Sequence, residues 1–493
     1  MPIRKPATNK LDKRKPHDRS SSSSLFAFEL GRIKNLSIAE LENVLGQENL
    51  VELIGDFAIF NLDPIILKNF VPTQNNSVQN DQLQSIQKLQ NKLGGTIKIA
   101  KVVETISLNN PQSNNSPRDT SEQQYSNKTN HQNTPQHQPQ SKTFVASTKS
   151  ALEQLLTSHF KDHSGKIPFA ISVVNIPGDS KIFLKNSLNF SKKILKSMGF
   201  NSRFINKPWV NAEPAQIYKS WTVEKGIDIT ILGGNIHTGE PKIYIAKTLS
   251  IQDINSYSFR DYNKPFRDTH MGMLPPKLAQ IMLNLAENSH PTNTKPNSQT
   301  TTKQIIFDPF CGSGTILAEA LLQGKEAIGS DIDQKAVDGT IKNLNWLVEN
   351  FFDKAKKQNP PPFKVFQKNS VLLTKNDFPK NLDIVVSETY LGLPASKIIP
   401  QNERRIRFEE IASLHKNWLS NLKKALTPKD LQNLKIVIAL PAFKIGPNNY
   451  NYFPNPREFF RSLGFEVQNK KTLIYDREDQ FVAREILIIV NRN

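Results

Sequence analysis

A glycine-rich turn between an apolar strand and a helix, at residues 305–315, limits the possible folds of this chain more than any other segment. It reads Ile-Ile-Phe-Asp-Pro-Phe-Cys-Gly-Ser-Gly-Thr. Glycines let the backbone approach a ligand closely, and the first turn of a helix offers free N–H donors. A second apolar strand ends at Asp331, where a carboxylate can accept hydrogen bonds from ribose hydroxyls. The pattern therefore predicts a site for a cofactor of the adenosine type.

Strands and helices alternate through the rest of the C-terminal half. Strands are predicted at 303–308, 326–331, 363–368, 382–387 and 434–440, and helices at about 314–323, 334–350, 403–426 and 455–463. Two further strands, near 465–474 and 481–490, close the chain. This order predicts an α/β fold with a mostly parallel sheet. The residue directly after Gly314 is not a lysine, which excludes a P-loop. The full G-x-G-x-x-G spacing of dinucleotide binders is also absent.

The N-terminal half reads as two α+β units, at 25–106 and 143–255. In the first unit, Ser37 and Glu40 predict a capping box for a helix from Ile38 to Leu45, and residues 54–62 read as one strand. A basic tail (1–24) precedes the first unit, and a linker (107–142) rich in Asn, Gln and Ser joins the two. Both segments are predicted to be disordered, because they cannot bury enough apolar surface to offset chain entropy.

The charge of the chain predicts a polyanionic partner. Its 493 residues contain 64 lysines and arginines against 45 aspartates and glutamates, a net charge of +19. The single cysteine, Cys311, excludes a disulfide framework and a cysteine-rich metal site. His131 and His137 read as polar filler in the linker, so no metal is expected. No apolar run is long enough for a membrane span, and no secretory signal is present, so a cytoplasmic protein is expected.

The turn at 308–315 resembles the cofactor loop of S-adenosylmethionine-dependent methyltransferases that act on exocyclic amines. The pairs Arg260-Asp261 and Arg267-Asp268, and the run Gly-Met-Leu-Pro-Pro-Lys-Leu-Ala-Gln at 272–280, resemble the segment before that loop in THUMP-domain RNA methyltransferases. The most similar subfamily is the tRNA guanosine-10 N2-methyltransferases. The resemblance implies a ferredoxin-like domain at 25–106, a THUMP RNA-binding domain at 143–255 and a Rossmann-like methyltransferase domain at 256–493. It also implies S-adenosylmethionine as cofactor and tRNA as partner, and it admits a small activating subunit.

The same resemblance assigns a set of cofactor-binding residues. It implies that Asp308, Gly312 and Gly314 line the methionine end of the cofactor, that Asp331 binds the ribose and that Asn369 lies near the adenine amino group. Within the loop it also brings Cys311 and Thr315 to the cofactor. Some RNA methyltransferases use a cysteine as nucleophile, but Cys311 lies in the cofactor loop and reads as a small packing residue.

The end of the fourth strand departs from the pattern of the family. Amine methyltransferases have Asp/Asn-Pro-Pro-Tyr there, whereas this chain has Ser387-Glu388-Thr389-Tyr390. Tyr390 retains the aromatic face for an extruded base, and Glu388 can accept from the amine. Catalytic roles are therefore predicted for Ser387, Glu388 and Tyr390. The alternative is that Glu388 is a surface carboxylate in a weak or silent methyltransferase domain that serves only to bind tRNA.

Basic side chains outside the loop are candidates for phosphate contacts. They are Lys192, Lys193, Lys196 and Arg203 in the second unit, and Arg260, Arg267 and Lys277 before the cofactor loop. The lysines could instead form a solvated helix face, and the arginines could pair with Asp261 and Asp268. A third hypothesis, a DNA amine methyltransferase, keeps the cofactor loop but leaves the second α+β unit unexplained.

Overall fold

The computed structural model describes residues 23–68, 70, 78–108, 140–161, 163, 165–235, 240–268, 273–287, 304–352, 359–380 and 382–492. Most of the predicted tail and linker lies outside these residues. Ser24 already belongs to the first strand, and the fourth helix begins at Gln140, inside the predicted linker.

The N-terminal half forms one eight-stranded sheet with the strand order β2-β3-β1-β4-β8-β7-β5-β6. Its strands are β1 (Ser24–Leu30), β2 (Leu50–Ile54), β3 (Phe57–Leu62), β4 (Thr96–Ser107), β5 (Ile167–Val174), β6 (Ser202–Phe204), β7 (Ile227–Gly234) and β8 (Lys242–Ile251). The helices are α1 (Lys34–Leu45), α2 (Pro64–Lys68), α3 (Val78–Lys92), α4 (Gln140–His159), α5 (Ser180–Ser197), α6 (Pro214–Lys219) and α7 (Thr222–Lys225).

The long strand β4 joins the two predicted α+β units. It is antiparallel to β1 of the first unit on one side and to β8 of the second unit on the other. Within the second unit β5 is parallel to both β6 and β7. The backbone hydrogen bonds of the two units therefore form one continuous sheet.

Two local predictions in the first unit are wrong. Helix α1 begins at Lys34, and the Glu40 carboxylate accepts from the backbone N–H groups of Gly94 and Gly95, at 2.9 and 2.7 Å, so no capping box forms with Ser37. The segment predicted as one strand at 54–62 belongs to a hairpin of β2 and β3. Gly55, with a φ of +59°, lies in its turn, a conformation that glycine adopts without strain.

The C-terminal half forms a second sheet that contains the predicted helices and strands, except that the strand predicted near 465–474 is two short strands, at 465–467 and 474–475. The strands are β9 (Ile305–Asp308), β10 (Glu326–Asp331), β11 (Phe363–Gln367), β12 (Ile384–Glu388), β13 (Lys435–Gly446), β14 (Asn449–Asn451), β15 (Phe465–Val467), β16 (Ile474–Tyr475) and β17 (Val482–Asn491). The helices are α8 (Ile254–Tyr262), α9 (Pro276–Ala286), α10 (Thr315–Leu322), α11 (Gln334–Phe351), α12 (Gln401–Ala425), α13 (Pro428–Asn433) and α14 (Pro456–Ser462).

The order of this sheet creates a switch point beside β9. The path is β11-β10-β9-β12-β13-β17-β15, with β14 paired to β13 and β16 paired to β17. Strands β9 to β13 are parallel along this path, whereas β17 is antiparallel to β13. The chain moves outward from β9 to β11 and then returns to the other side of β9. In open α/β sheets such a point opens a crevice at the carboxyl ends of the strands.

Helix α9, which the sequence did not predict, connects the two halves. Ten of its eleven residues are buried, and Lys277 is the exposed one. The helix packs against α1 of the first unit and against α10 and β13 of the second sheet. One apolar core therefore contains Leu36 of α1 together with Leu283 of α9 and Leu317 of α10. No helix among the described residues has the length and apolarity needed to cross a bilayer.

Candidate active site

A cavity of about 790 Å³ opens at the carboxyl ends of β9, β10 and β12. Its lining comes from several separate segments. They are Leu274, residues 308–313, 315–316, 331–332, 369–371 and 388–395, Glu410, Leu414, residues 479–482 and Arg484. The volume lies within the range usual for small-molecule sites.

The loop after β9 is held in place by hydrogen bonds from its backbone N–H groups to β10. The Cys311 N–H donates to the Ser330 carbonyl at 3.0 Å, and the Gly312 N–H donates to Asp331 Oδ2 at 2.9 Å. Gly314, at the start of α10, has a φ of +78°, and a Cβ there would lie 2.6 Å from Thr340 Cγ2. The loop therefore requires glycine at this position on two grounds, backbone conformation and close packing.

Asp308 is a buried carboxylate at the end of β9, with an exposure of 2%. It accepts from the Ser387 hydroxyl at 2.6 Å and from the Phe310 N–H at 3.1 Å. Burial raises the pKa of Asp308 to about 7, against the lowering effect of these two hydrogen bonds. The carboxyl therefore changes charge near neutral pH.

The two predicted ribose and adenine residues both line the cavity. Asp331 accepts from Gly312 and also from the Asp333 N–H at 3.0 Å, and a carboxylate has further acceptor capacity. Asn369 caps a short 3₁₀ turn, where its Oδ1 accepts from the Val371 N–H at 3.1 Å. An asparagine oxygen at this position can accept a hydrogen bond from an amino group. In the structure the oxygen already has a backbone partner, so the side-chain NH₂ is the more available group.

Glu388, the last residue of β12, lines the cavity and forms an ion pair with Arg484 of β17. The Arg484 side chain is 5% exposed and its second donor contact is to Gln480 Oε1 at 3.2 Å. Sequence reasoning missed both Arg484 and Gln480. No motif marks them, and they come close to Glu388 through the antiparallel pairing of β13 and β17.

The other two residues of the fourth-strand motif have different environments. Tyr390 is 43% exposed and lines the same cavity as Glu388. Ser387 is fully buried, donates to Asp308 and does not line the cavity. The predicted catalytic role of Ser387 is therefore replaced by a structural one, since its hydroxyl is already bonded inside the protein.

Cys311 and Thr315 face the cavity from buried positions. Burial raises the pKa of the Cys311 thiol well above its usual value, which disfavours the thiolate that a nucleophile requires. Its side chain packs where a Cβ on Gly329 would lie 3.0 Å away. The Thr315 hydroxyl accepts from the Lys264 ammonium at 3.2 Å. No group of three or more potential metal ligands occurs within the described ranges.

The candidate phosphate-binding side chains fall into two classes. Exposed ones are Lys192, Lys193 and Lys196 of α5, Arg203 of β6, Arg267 and Lys277. Arg260 is different, because its side chain is 9% exposed and its Nε donates to Glu319 Oε1 at 2.7 Å. A buried guanidinium bonded to a buried carboxylate is not free for phosphate, so the predicted RNA contact of Arg260 is replaced by a structural ion pair. Its partner is Glu319 and not Asp261, which the alternative interpretation had offered.

Comparison with known families gives one match that covers more than half of the chain. The family described as DNA methylase matches residues 73–343.

Curated relatives match shorter segments. A tRNA (guanine(10)-N2)-dimethyltransferase of Methanothermobacter thermautotrophicus is 30% identical over 158 residues, which cover 32% of this chain and 38% of that protein. A protein of the same name from Methanocaldococcus jannaschii is 35% identical over 107 residues, 21% of this chain and 27% of that protein. The chain thus spans less than two fifths of the length of these two relatives.

Solved structures are more distant. A putative methyltransferase complexed with SAH aligns with a TM-score of 0.38 at 12% identity, covering 96% of this chain and 98% of that one. A putative RNA methyltransferase from Pyrococcus horikoshii aligns with a TM-score of 0.26 at 16% identity, covering 47% and 92%.

Proposed function

This chain belongs to the DNA methylase family, and we propose that it transfers a methyl group from S-adenosylmethionine to the exocyclic N2 amine of a guanosine in tRNA, at position 10. One observation carries the proposal: a carboxylate, Glu388, and an aromatic ring, Tyr390, face the same cavity as the glycine-rich loop. This combination provides an acceptor for an amine and a face for a base beside a cofactor site.

The cofactor is S-adenosylmethionine, which supplies an electrophilic methyl group on a sulfonium. The residues present fit it. A Cβ built on Gly312 would meet no atom within 4 Å, so the loop borders open space in the cavity. Asp331 would hold the ribose, the Asn369 side chain would lie at the adenine, and the loop with Asp308 would hold the methionine end. The apolar side chains of Ile332 and Val371 also line the cavity, beside these polar groups.

The chemistry requires an acceptor for the amine. The lone pair of the guanine N2 amine is delocalised into the ring, so the amine is a poor nucleophile. Glu388 would accept a hydrogen bond from this amine and take the proton that it loses on methylation. Tyr390 would stack on the base and hold the nitrogen in line with the methyl group.

The tRNA specificity rests on two further observations. The curated relatives carry the name tRNA (guanine(10)-N2)-dimethyltransferase, over partial alignments. In addition, α5 presents exposed lysines in the unit proposed as a THUMP domain, beside the unit proposed as ferredoxin-like. The proposal includes a cytoplasmic location, and it allows one or two methyl transfers and a small activating subunit.

A second candidate is a DNA amine methyltransferase, which the description of the matched family favours. A third is a tRNA-binding protein with a weak or silent methyltransferase domain, which the replacement of Asp/Asn-Pro-Pro-Tyr by Ser387-Glu388-Thr389-Tyr390 favours. The three candidates predict labelled methyl groups in tRNA, in DNA and in neither polymer, respectively.

The decisive experiment incubates the full chain with labelled S-adenosylmethionine and either unmodified tRNA, the same tRNA with adenosine at position 10, or duplex DNA. We expect N2-methylguanosine in the first tRNA alone. Label in DNA would support the second candidate. Cofactor and tRNA binding without label would support the third.

Two variants test the roles of the cavity residues in the same assay. Glu388→Gln should lower the rate by about 100-fold, because an amide is a poor proton acceptor. Tyr390→Ala should weaken tRNA binding by about 1–3 kcal/mol, because the base loses its stacking partner. Tyr390→Phe keeps the ring and should stay near wild type. Full activity of Tyr390→Ala would contradict the stacking role.

A further inference from the structure

The guanidinium of Arg484 connects two polar side chains of the cavity. Its Nε donates to Glu388 Oε1, and its Nη1 donates to Gln480 Oε1 at 3.2 Å. All three residues line the cavity, and the Arg484 side chain is only 5% exposed. A guanidinium has a fixed planar geometry, so it fixes the positions of both partners relative to each other.

The register of the sheet explains how a residue of β17 reaches the end of β12. Glu388 of β12 lies opposite Ala439 of β13, and Arg484 of β17 lies opposite Pro441 of β13. Residues two apart in a strand point to the same face. Glu388 and Arg484 therefore project from the same face of the sheet, and the arginine side chain reaches across β13 to the carboxylate.

The contacts with Arg484 leave one group free on each partner. The second oxygen of Glu388 and the side-chain NH₂ of Gln480 have no hydrogen-bond partner among the residues that the structure describes. The first is an acceptor and the second is a donor. Because both are tied to one guanidinium, the cavity contains an acceptor and a donor at a fixed separation.

We propose that Arg484 is a positioning residue that orients Glu388 and Gln480 as a paired acceptor and donor for the edge of a guanine base. Guanine presents an N2 donor and an O6 acceptor, so Glu388 would accept from N2–H while the Gln480 NH₂ donates to O6. This inference rests on the proposed function for the identity of the base. It adds that base selection and amine activation depend on one arginine that touches neither the base nor the cofactor.

A double-mutant cycle separates this role from a structural one. Arg484→Met should lower kcat by about 100-fold while cofactor affinity stays within about threefold, because Glu388 loses its orientation. Arg484→Lys should recover part of the loss, since an ammonium still contacts Glu388 but cannot also reach Gln480. In the Glu388→Gln background, adding Arg484→Met should lower kcat by a further factor of less than about three, because the effects of residues that act as a unit are not additive.

Arg457→Met is the matched control. Its guanidinium donates to the Val467 carbonyl at 2.8 Å and to the Asn469 carbonyl, and Arg457 does not line the cavity. We expect it to lower the melting temperature without the loss of kcat. The inference would be overturned if the kcat losses of the two single variants multiply in the double variant, or if Arg484→Met leaves kcat unchanged.

A binding measurement tests the inference without turnover. tRNA transcripts with guanosine or inosine at position 10 differ in the 2-amino group. With S-adenosylhomocysteine present, the wild type should prefer the guanosine form by about tenfold, which corresponds to one good hydrogen-bonded contact. Arg484→Met should lose that preference.

The two proposals can fail separately in this measurement. Suppose that the wild type prefers the guanosine form, that Arg484→Met abolishes this preference and that no methyl transfer is detected. The proposed function would then be wrong and the inference would stand. A wild type without preference, or a preference that persists in Arg484→Met, would overturn the inference whatever the activity.

Discussion

Single residues of the glycine-rich loop at 308–315 are constrained both by backbone conformation and by burial of charge. Gly314 adopts a positive φ against Thr340, whose hydroxyl donates to the Gly312 carbonyl at 2.6 Å. Asp308 is buried at the loop entrance with a raised pKa. The strand–turn–helix pattern of the sequence predicts that these residues belong to a ligand-binding loop. It does not reveal Thr340, which lies on α11 and meets the loop only in the folded chain.

Gly314→Ala should destabilise the protein by about 2–4 kcal/mol and abolish cofactor binding. About 1–2 kcal/mol follows from the left-handed backbone, and the rest from the clash with Thr340. Gly324→Ala is the control, because Gly324 has a φ of +79° but no atom within 4 Å of an added Cβ. It should cost only the backbone share. Urea unfolding and calorimetric titration with cofactor measure the two effects, and equal losses for the two variants would contradict the packing argument.

The raised pKa of Asp308 predicts a pH dependence of stability. The unfolded carboxyl ionises near pH 4 and the folded one near pH 7, so in this window the unfolded state binds fewer protons and stability falls as pH rises. Relative to Asp308→Asn, the wild type should lose about 2–3 kcal/mol of unfolding free energy between pH 5 and pH 7.5. Urea unfolding at both values measures it. A constant difference between the two proteins would show that Asp308 is already ionised at pH 5.

Among the elements, α9 joins the two halves of the chain. It is buried against α1, α10 and β13, and its residues belong to the same core as the cofactor loop helix. Pro276 is its first residue and Pro275 precedes it, an arrangement typical of a helix start. Its polar residues Lys277, Gln280 and Asn284 recur on one side of the helix. Only folding shows that two of them are buried, where Gln280 donates to the Asn91 carbonyl and Asn284 to Glu40 Oε1, both at 2.6 Å.

Leu283→Ala should lower the unfolding free energy by about 2–5 kcal/mol, because Leu283 is fully buried in this core. Leu83→Ala in α3 is the matched control, since Leu83 is 52% exposed and the same truncation there should change stability by less than about 0.5 kcal/mol. Denaturant unfolding of both variants tests this. A loss for Leu283→Ala as small as that of the control would mean that α9 does not contribute to the cooperative core.

At the scale of the whole molecule, the net charge of +19 predicts a polyanionic partner, and exposed lysines occur in both halves of the described chain. The lysines of α5 are exposed in the half that contains the first sheet, and the cavity is lined by residues of the half that contains the second sheet. A folded RNA that contacts both would be held by phosphates at one place while a base is presented at the other. Some of the positive charge has a different role, because Arg260 and Arg484 are bonded to carboxylates.

Replacing Lys192, Lys193 and Lys196 together by glutamine should weaken tRNA binding and reduce the slope of log Kd against log salt by about 1 for each lost phosphate contact. The control replaces three exposed lysines of the C-terminal half by glutamine, namely Lys416, Lys424 and Lys429. Titrations at several salt concentrations should show a change of slope in the first variant only. An equal change in both would mean that the lysines act through net charge rather than through contacts.

The sequence by itself predicts most strands and helices of the C-terminal half, the glycine-rich loop, and Asp331 as a candidate ligand. Local patterns of apolar residues and glycines encode these features. The same is true of Glu388 and Tyr390 as candidates. The joining of the two N-terminal units through β4, the bonding of Ser387 to Asp308, the pairing of Arg260 with Glu319 and the contact of Arg484 with Glu388 come from folding alone. These contacts join residues far apart in the chain, and their partners depend on sheet register and burial, which no local pattern specifies.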